Sequence, residues 1–85
     1  MPTNSSSLLP DRFAAVISAA EVEASKAKGT DAFRFFTGYL NGVRDGAEAF
    51  GSARFGLLES DAEGIDGEYG EGYRYGLLNI EFASA

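Results

Sequence analysis

Three glycines, spaced four residues apart, limit what this chain can fold into. Gly38, Gly42 and Gly46 lie within the segment 31–50, whose large apolar residues recur at helical spacing. Each glycine inside a helix costs about 1 kcal/mol relative to alanine, so this helix needs a compensating contact. Residues four apart share one helix face, where glycines form a flat ridge that another backbone can approach closely. The pattern therefore predicts a helix that packs along its glycine ridge.

An apolar stripe earlier in the chain predicts another helix. From about Pro10 to Lys28, apolar side chains recur at three- and four-residue spacing, which is typical of one buried helix face. Gly29 follows as a stop signal. The Thr30-Asp31 pair can cap the next helix. The two segments, about 10–28 and 31–50, are thus predicted to form a helical hairpin.

The second half of the chain repeats short pieces of sequence. Residues 54–58 (Arg-Phe-Gly-Leu-Leu) recur as 74–78 (Arg-Tyr-Gly-Leu-Leu). Residues 38–43 resemble residues 72–77, since both read Gly-Tyr-x-x-Gly followed by an apolar residue. Neither repeat is long enough to show a duplication. They do suggest that similar segments pack in similar ways.

Residues 51–85 are rich in glycine and tyrosine, and two structures fit them. A helix would place Tyr69, Tyr73 and Leu77 on one face. A β-hairpin would instead pair the two ends of the segment across an acidic loop. We favour the helix.

The length of the chain sets its domain organisation. With 85 residues there is room for one domain. We expect a polar N-terminal arm over 1–9 and a single, mainly α-helical domain over 10–85. In that domain the Gly/Tyr-rich C-terminal segment packs against the glycine ridge. A chain of this size buries about 60% of its unfolded surface, so its stability is marginal or depends on a partner.

The negative charge of the chain is concentrated in one stretch. Of 13 acidic residues, six lie between 59 and 71, where no Lys or Arg occurs; the other seven equal the seven basic residues, which leaves the net charge of −6 in this stretch. Because like charges repel, such a run is tolerated if solvated and useful if it faces a basic partner. Glycines interleave it, so we predict an acidic loop over 59–71. Its acids are Glu59, Asp61, Glu63, Asp66, Glu68 and Glu71.

The absence of Cys, His and Trp excludes several kinds of site. Disulfide scaffolds, Cys/His zinc sites and histidine-based triads all need residues that this chain lacks. Paired carboxylates act as acid and base only in a pocket that removes water, which a glycine-rich loop does not provide. The EF-hand pattern also fails, since counting from Asp61 places Ile65 and Gly72 where ligands are required. We therefore expect no enzyme activity, no cofactor and no metal site.

Charge and hydropathy also limit which kinds of partner the chain can have. An acidic chain is not expected to bind nucleic acid directly, and no apolar run approaches the roughly 20 residues of a membrane span. A cytoplasmic location is expected. The favoured function is a non-enzymatic inhibitor or adaptor. Its acids, with Tyr69 and Tyr73 as anchors, would occlude a basic surface of a partner protein, such as a nucleic-acid channel. A solvated, solubilising loop is the plainer interpretation of the run.

In composition the chain resembles the small accessory proteins of phages and mobile elements, which are short, acidic and free of cysteine. That resemblance implies a protein that blocks one host protein. The alternative function belongs to another class, a structural protein that self-associates, as a homodimer or a stack, along Gly38, Gly42 and Gly46. Close packing between copies would then compensate for the glycines.

Overall fold

The computed structural model describes residues 11–84, which form four α-helices and, within that range, no β-strand. The predicted mainly α-helical domain is confirmed, with a helical hairpin in its first half and helices instead of a β-hairpin in its second. The predicted arm over 1–9 lies outside the described residues. The helices are α1 (Asp11–Lys26), α2 (Phe33–Ala49), α3 (Ala53–Glu63) and α4 (Gly67–Ser84).

A threonine hydroxyl closes the connection between α1 and α2. After α1 the chain reverses at Gly29, whose φ of +78° favours glycine. Thr30 Oγ1 donates to the carbonyl oxygen of Ala27 (2.7 Å) and accepts from the backbone N–H of Ala32 (3.2 Å). The prediction that the Thr30-Asp31 pair caps α2 is therefore wrong. The N-cap is Ala32, which makes no side-chain hydrogen bond, because the hydroxyl is engaged within the connection.

α2 and α4 lie parallel and make the most extensive helix contact in the described part of the chain. Gly38 of α2 lies against the carbonyl of Tyr69, and Gly42, one turn later, lies against the carbonyl of Tyr73. Gly46 faces two apolar side chains of α4. A Cβ atom at Gly38 or Gly42 would overlap the backbone of α4, so the two backbones approach this closely because these residues are glycine. The ridge thus packs against a helix of the same chain.

α4 contributes glycines to the same contact. Gly72 lies against the carbonyl of Phe35, and Gly76 lies against that of Tyr39. Residue numbers in the two Gly-Tyr-x-x-Gly segments differ by 34. The same difference relates Gly72 and Gly76 to Gly38 and Gly42, and it relates the carbonyls that these glycines contact. Exchanging the two segments leaves the pattern of contacts unchanged. The repeat seen in the sequence is therefore a locally symmetric helix pair.

The hydrophobic core joins α1 and α3 to this pair, since each of them contacts both α2 and α4. The largest fully buried side chains are Phe13 of α1, Val43 of α2 and Ile80 of α4. Just beyond α2, the ring of Phe50 contacts the rings of Phe13 and Phe55, with centroids 5.4 and 5.7 Å away. These edge-to-face contacts tie the start of α1 to the start of α3.

The predicted acidic loop over 59–71 is wrong. This segment is the end of α3 and the start of α4, and only three residues between the helices are not helical. Arg74 of α4 donates to the carbonyl oxygens of Ala62 (2.7 Å) and Ile65 (3.2 Å), where α3 ends. Its positive charge also offsets the negative end of the α3 dipole. Gly70 lets α4 pass closely against the Ile65 carbonyl, which completes the tight turn.

An alanine at position 42 tests the ridge. We expect Gly42→Ala to lower the free energy of unfolding by about 1–3 kcal/mol or more, because the added methyl group must push α4 away. Gly56→Ala is the matched control. Gly56 lies in α3 with no atom within 4 Å of its would-be Cβ, so alanine should raise stability by about 0.5–1 kcal/mol. Urea unfolding followed by circular dichroism measures both, and effects of the same sign would contradict the contact.

Candidate functional site

The six acids of the 59–71 stretch are all exposed, but α3 divides them between two sides. Glu59 and Glu63 lie one helical turn apart on the side of α3 that borders a groove with α4. Asp61 lies on the other side of α3, where its charge acts on Tyr73. The structure therefore does not bring all six predicted residues together.

Between α3 and α4 runs a groove with a volume of about 200 Å³, which we call the acidic groove. Two of its lining residues come from α3 and four come from α4. Those from α4 are spaced three or four positions apart, so they share one face of that helix. Leu77 is buried, whereas the glutamates are exposed, so the groove has an apolar floor and an acidic rim. Its lining residues are Glu59 and Glu63 from α3 and Arg74, Leu77, Leu78 and Glu81 from α4.

Two carboxylates meet across the acidic groove. The carboxyl groups of Glu59 of α3 and Glu81 of α4 are near enough to act on each other. Partial loss of hydration raises the pKa of Glu59 above its ordinary value of 4.5, and the neighbouring charges of Glu81 and Glu63 raise it further. The packing of the helices thus holds like charges together. A cation placed between them would be attracted by both.

The acidic groove continues around the turn between α3 and α4. A shallow depression there shares Glu63 and Arg74 with the groove. Together the two depressions gather every predicted acid except Asp61, and they add Glu81, which the sequence analysis missed because it lies outside the acidic run. We call this combined area the acidic surface. Its carboxylates belong to Glu59, Glu63, Asp66, Glu68, Glu71 and Glu81.

The acidic surface has little positive charge of its own. Arg74 lines it, but its guanidinium is engaged with the carbonyl oxygens at the end of α3. Among the side chains of residues 13–84 the ion pairs lie elsewhere, between Arg44 and Glu21 (2.8 Å) and between Lys26 and Glu23 (3.8 Å). Within this range, the carboxylates of the acidic surface are therefore left without an ion-pair partner.

The structure holds Tyr69 and Tyr73, which were predicted to anchor a partner, against α2. Tyr73 is only 7% exposed, and its hydroxyl donates to Asp45 Oδ2 (2.7 Å). The hydroxyl of half-buried Tyr69 accepts from Asn41 Nδ2 (2.7 Å). Both residues follow the α4 face that meets the glycine ridge, so their side chains are held against α2. Burial, followed by the hydrogen bond and the charge of Asp45, raises the pKa of Tyr73.

Other large side chains of α4 face solvent instead. Tyr75, Leu78 and Phe82 follow one another at i, i+3 and i+7 and are 56%, 39% and 67% exposed. That spacing places them on one side of the helix, and we call them the α4 stripe. The ring of Tyr75 also contacts Phe35 and Tyr39 of α2, with centroids 6.0 and 6.2 Å away. The spacing could be seen in the sequence, but the glycine contacts decide which side of α4 faces out.

The glycine ridge is not open to a second copy of the chain. Gly38, Gly42 and Gly46 are buried beneath α4. Self-association along this ridge would require α4 to leave it first. The surface that the sequence analysis offered as a dimer contact therefore lies inside the domain, where it packs one helix on another.

Two further properties of residues 11–84 bear on function. In this range no three acidic side chains converge closely enough to hold a metal ion. None of its helices has the length and apolar character needed to cross a membrane.

Comparison of the chain with protein-family models, with curated proteins and with solved structures finds no match.

The carboxylate pair in the acidic groove makes stability depend on pH. Because the pKa of Glu59 is raised in the fold, the folded chain binds its proton more tightly than the unfolded chain, and ionisation above the ordinary value of 4.5 destabilises the fold. We expect Glu59→Gln to raise the free energy of unfolding at pH 7 by about a few tenths of a kcal/mol, the size of an exposed like-charge pair. Below about pH 4 this gain should vanish, because the Glu59 carboxyl is then protonated and is neutral like the glutamine of the variant.

Glu48→Gln is the control for general charge repulsion, because Glu48 is exposed on α2 and lines neither depression. Chemical unfolding at a series of pH values measures both variants. The same gain from Glu48→Gln as from Glu59→Gln would contradict a specific pair.

The buried hydroxyl of Tyr73 should matter to stability. Tyr73→Phe leaves Asp45 without its donor, and we expect a loss of about 1–3 kcal/mol. The raised pKa has a second effect. Above the ordinary tyrosine value of 10.0 the unfolded chain ionises while the folded chain does not, so stability falls as pH rises. The variant should show a shallower alkaline fall. Tyr75→Phe, in an exposed side chain, is the control, and an equal loss from both variants would count against the Asp45 bond.

Proposed function

We propose that this protein is a non-enzymatic binding module, an inhibitor or adaptor that covers a basic surface of a partner protein with its acidic surface. The acidic groove is the observation that carries the proposal. Carboxylates from two helices line it above a leucine floor, and they have no ion-pair partner among the side chains of residues 13–84. Such an arrangement leaves negative charge in place for a cation supplied by another molecule.

A lysine or arginine side chain is complementary to both the apolar floor and the acidic rim of the acidic groove. The aliphatic stem can lie on Leu77 and Leu78, as long basic side chains do on apolar surfaces. The charged head then reaches Glu59 and Glu81, whose mutual repulsion it relieves. Hydrogen bonds between ionised groups are roughly twice as strong as neutral ones. One basic side chain can therefore gain from both the floor and the rim.

The wider acidic surface favours a partner that ordinarily binds nucleic acid. Its carboxylates follow two helices and the turn between them, and so form a series of negative charges. A protein surface that binds a phosphate backbone carries Lys and Arg in a comparable series. Carboxylates in series would attract and cover these residues, which excludes nucleic acid from the surface. This is how an inhibitor with such a surface would act.

Two variants of equal net charge test the proposal. Glu59→Gln with Glu63→Gln removes two carboxylates from the acidic groove, and Glu48→Gln with Asp61→Asn removes two exposed carboxylates outside it. We expect the first variant to lose retention of nucleic-acid-binding proteins from a lysate and the second to keep it. Retention should weaken with salt, because exposed charges are screened over about 10 Å at 0.1 M ionic strength. Mass spectrometry of the eluates provides the measurement.

Circular dichroism serves as the control, because both variants are expected to keep their helices. Equal retention by the two variants would contradict a role for the acidic groove. Retention that does not change between low and high salt would contradict an electrostatic contact of any kind.

A further inference from the structure

The α4 stripe is an apolar surface that the described residues leave largely exposed. Its three side chains, Tyr75, Leu78 and Phe82, lie on successive turns, and Phe82 is two-thirds exposed. They span about 10 Å along the helix at 1.5 Å per residue. An isolated apolar side chain on a surface is ordinary, but an aligned row of three on one helix is typical of a contact surface.

The α4 stripe is bordered by the acidic surface. A second groove beside it is lined by Phe35, Glu71, Arg74, Tyr75 and Leu78. Leu78 and Arg74 also line the acidic groove, so the apolar row and the carboxylates form one continuous area. Glu71 lies toward the start of the stripe, and Glu81 lies beside its end next to Glu59. An occupant of the stripe therefore meets negative charge near both ends.

We propose that the α4 stripe docks an amphipathic helix of the partner, apolar on the face that it lays on Tyr75, Leu78 and Phe82 and rich in Lys and Arg beside that face. This inference rests on the proposed function and names the form of the partner. Spacing at i, i+3 and i+7 is how helices present apolar anchors to one another. The carboxylates near both ends of the stripe supply the complement to basic residues beside the partner's apolar face.

Charge decides between this occupant and a second copy of the chain. Two copies meeting along their stripes would bring two acidic rims together, and juxtaposed like charges oppose association. A basic partner turns the same rims into attraction. An extended basic tail would also satisfy the carboxylates, but it would leave the apolar row exposed to water. A basic amphipathic helix covers both parts of the surface at once.

The test uses two peptide probes of identical composition. One carries leucines at i, i+3, i+4 and i+7 with lysines and arginines at the other positions, and the other has the same residues in scrambled order. Fluorescence anisotropy measures the binding of each labelled peptide to the full chain at low salt. We expect the amphipathic peptide to bind at least about tenfold more tightly, a difference of about 1.4 kcal/mol.

Variants of the stripe show where the peptide lies. Phe82→Ser should weaken the amphipathic peptide about tenfold or more and leave the scrambled peptide unchanged, because Phe82 lies outside the acidic groove. Leu78→Ser should weaken both peptides, because Leu78 belongs to the stripe and to the floor of the acidic groove. Leu57→Ser is the matched control, because Leu57 is 62% exposed on α3 and lines neither groove. Phe82 is so exposed that its replacement should not unfold the chain, and circular dichroism verifies this for each variant.

The outcomes separate this inference from the proposed function. Equal binding of both peptides, lost in Glu59→Gln with Glu63→Gln, would overturn the amphipathic helix and leave the acidic surface as a general basic-partner site. Binding of neither peptide would overturn both proposals. If sedimentation instead shows a dimer that Phe82→Ser dissociates, or if cross-linking places residues 1–10 of the same chain on the stripe, the inference is also overturned.

Discussion

The direct contact between the backbones of α2 and α4 determines the rest of this structure. Glycines from both helices meet carbonyls of the other, so no large side chain fits between them. The aromatic residues must then leave toward the flanks of the pair. On one flank, the hydroxyls of Tyr69 and Tyr73 form hydrogen bonds with polar side chains of α2. On the other flank, the partly exposed ring of Tyr75 contacts Phe35 and Tyr39. Local symmetry of the pair explains why both flanks are aromatic, and the different neighbours of each flank give the rings different contacts.

Parallel packing has a further consequence for the connection. Two parallel helices cannot be joined by a short turn, because the chain must return along their length before the second begins. α3 makes this return, and it thereby lies beside the flank of α4. Glu59 and Glu63 of α3 then face Glu81 of α4 across the acidic groove. The site is thus produced by the same crossover that allows the glycine ridges to meet.

Sequence reasoning predicted the helices and the ridge because both are expressed in local spacing. It failed where distant contacts decide. Residues 59–71 look like a loop, since glycines and acids both disfavour helix locally, yet Arg74 secures the end of α3 from the next helix. The sequence predicts Tyr73 as an anchor because it follows the acidic run, but its side chain is buried, and Glu81 lies outside that run. Both errors have one cause: the rotation of α4 about its axis is set by Gly72 and Gly76 meeting carbonyls of α2, which a single helix does not reveal.

Folding alone accounts for neither the acidic surface nor the α4 stripe. Gathering carboxylates raises the free energy of the folded chain, as the raised pKa of Glu59 indicates. The exposed parts of Tyr75, Leu78 and Phe82 gain nothing from burial against residues 13–84. In a domain this small such costs are a considerable share of the net stability. The two features adjoin at Leu78 and Arg74, so one ligand can relieve both. A cation alone would neutralise the carboxylates but leave the α4 stripe exposed to water. An apolar surface alone would cover the stripe but bury the carboxylates without a partner. An apolar face flanked by positive charge satisfies the whole area, which is the physical reason for proposing that kind of partner.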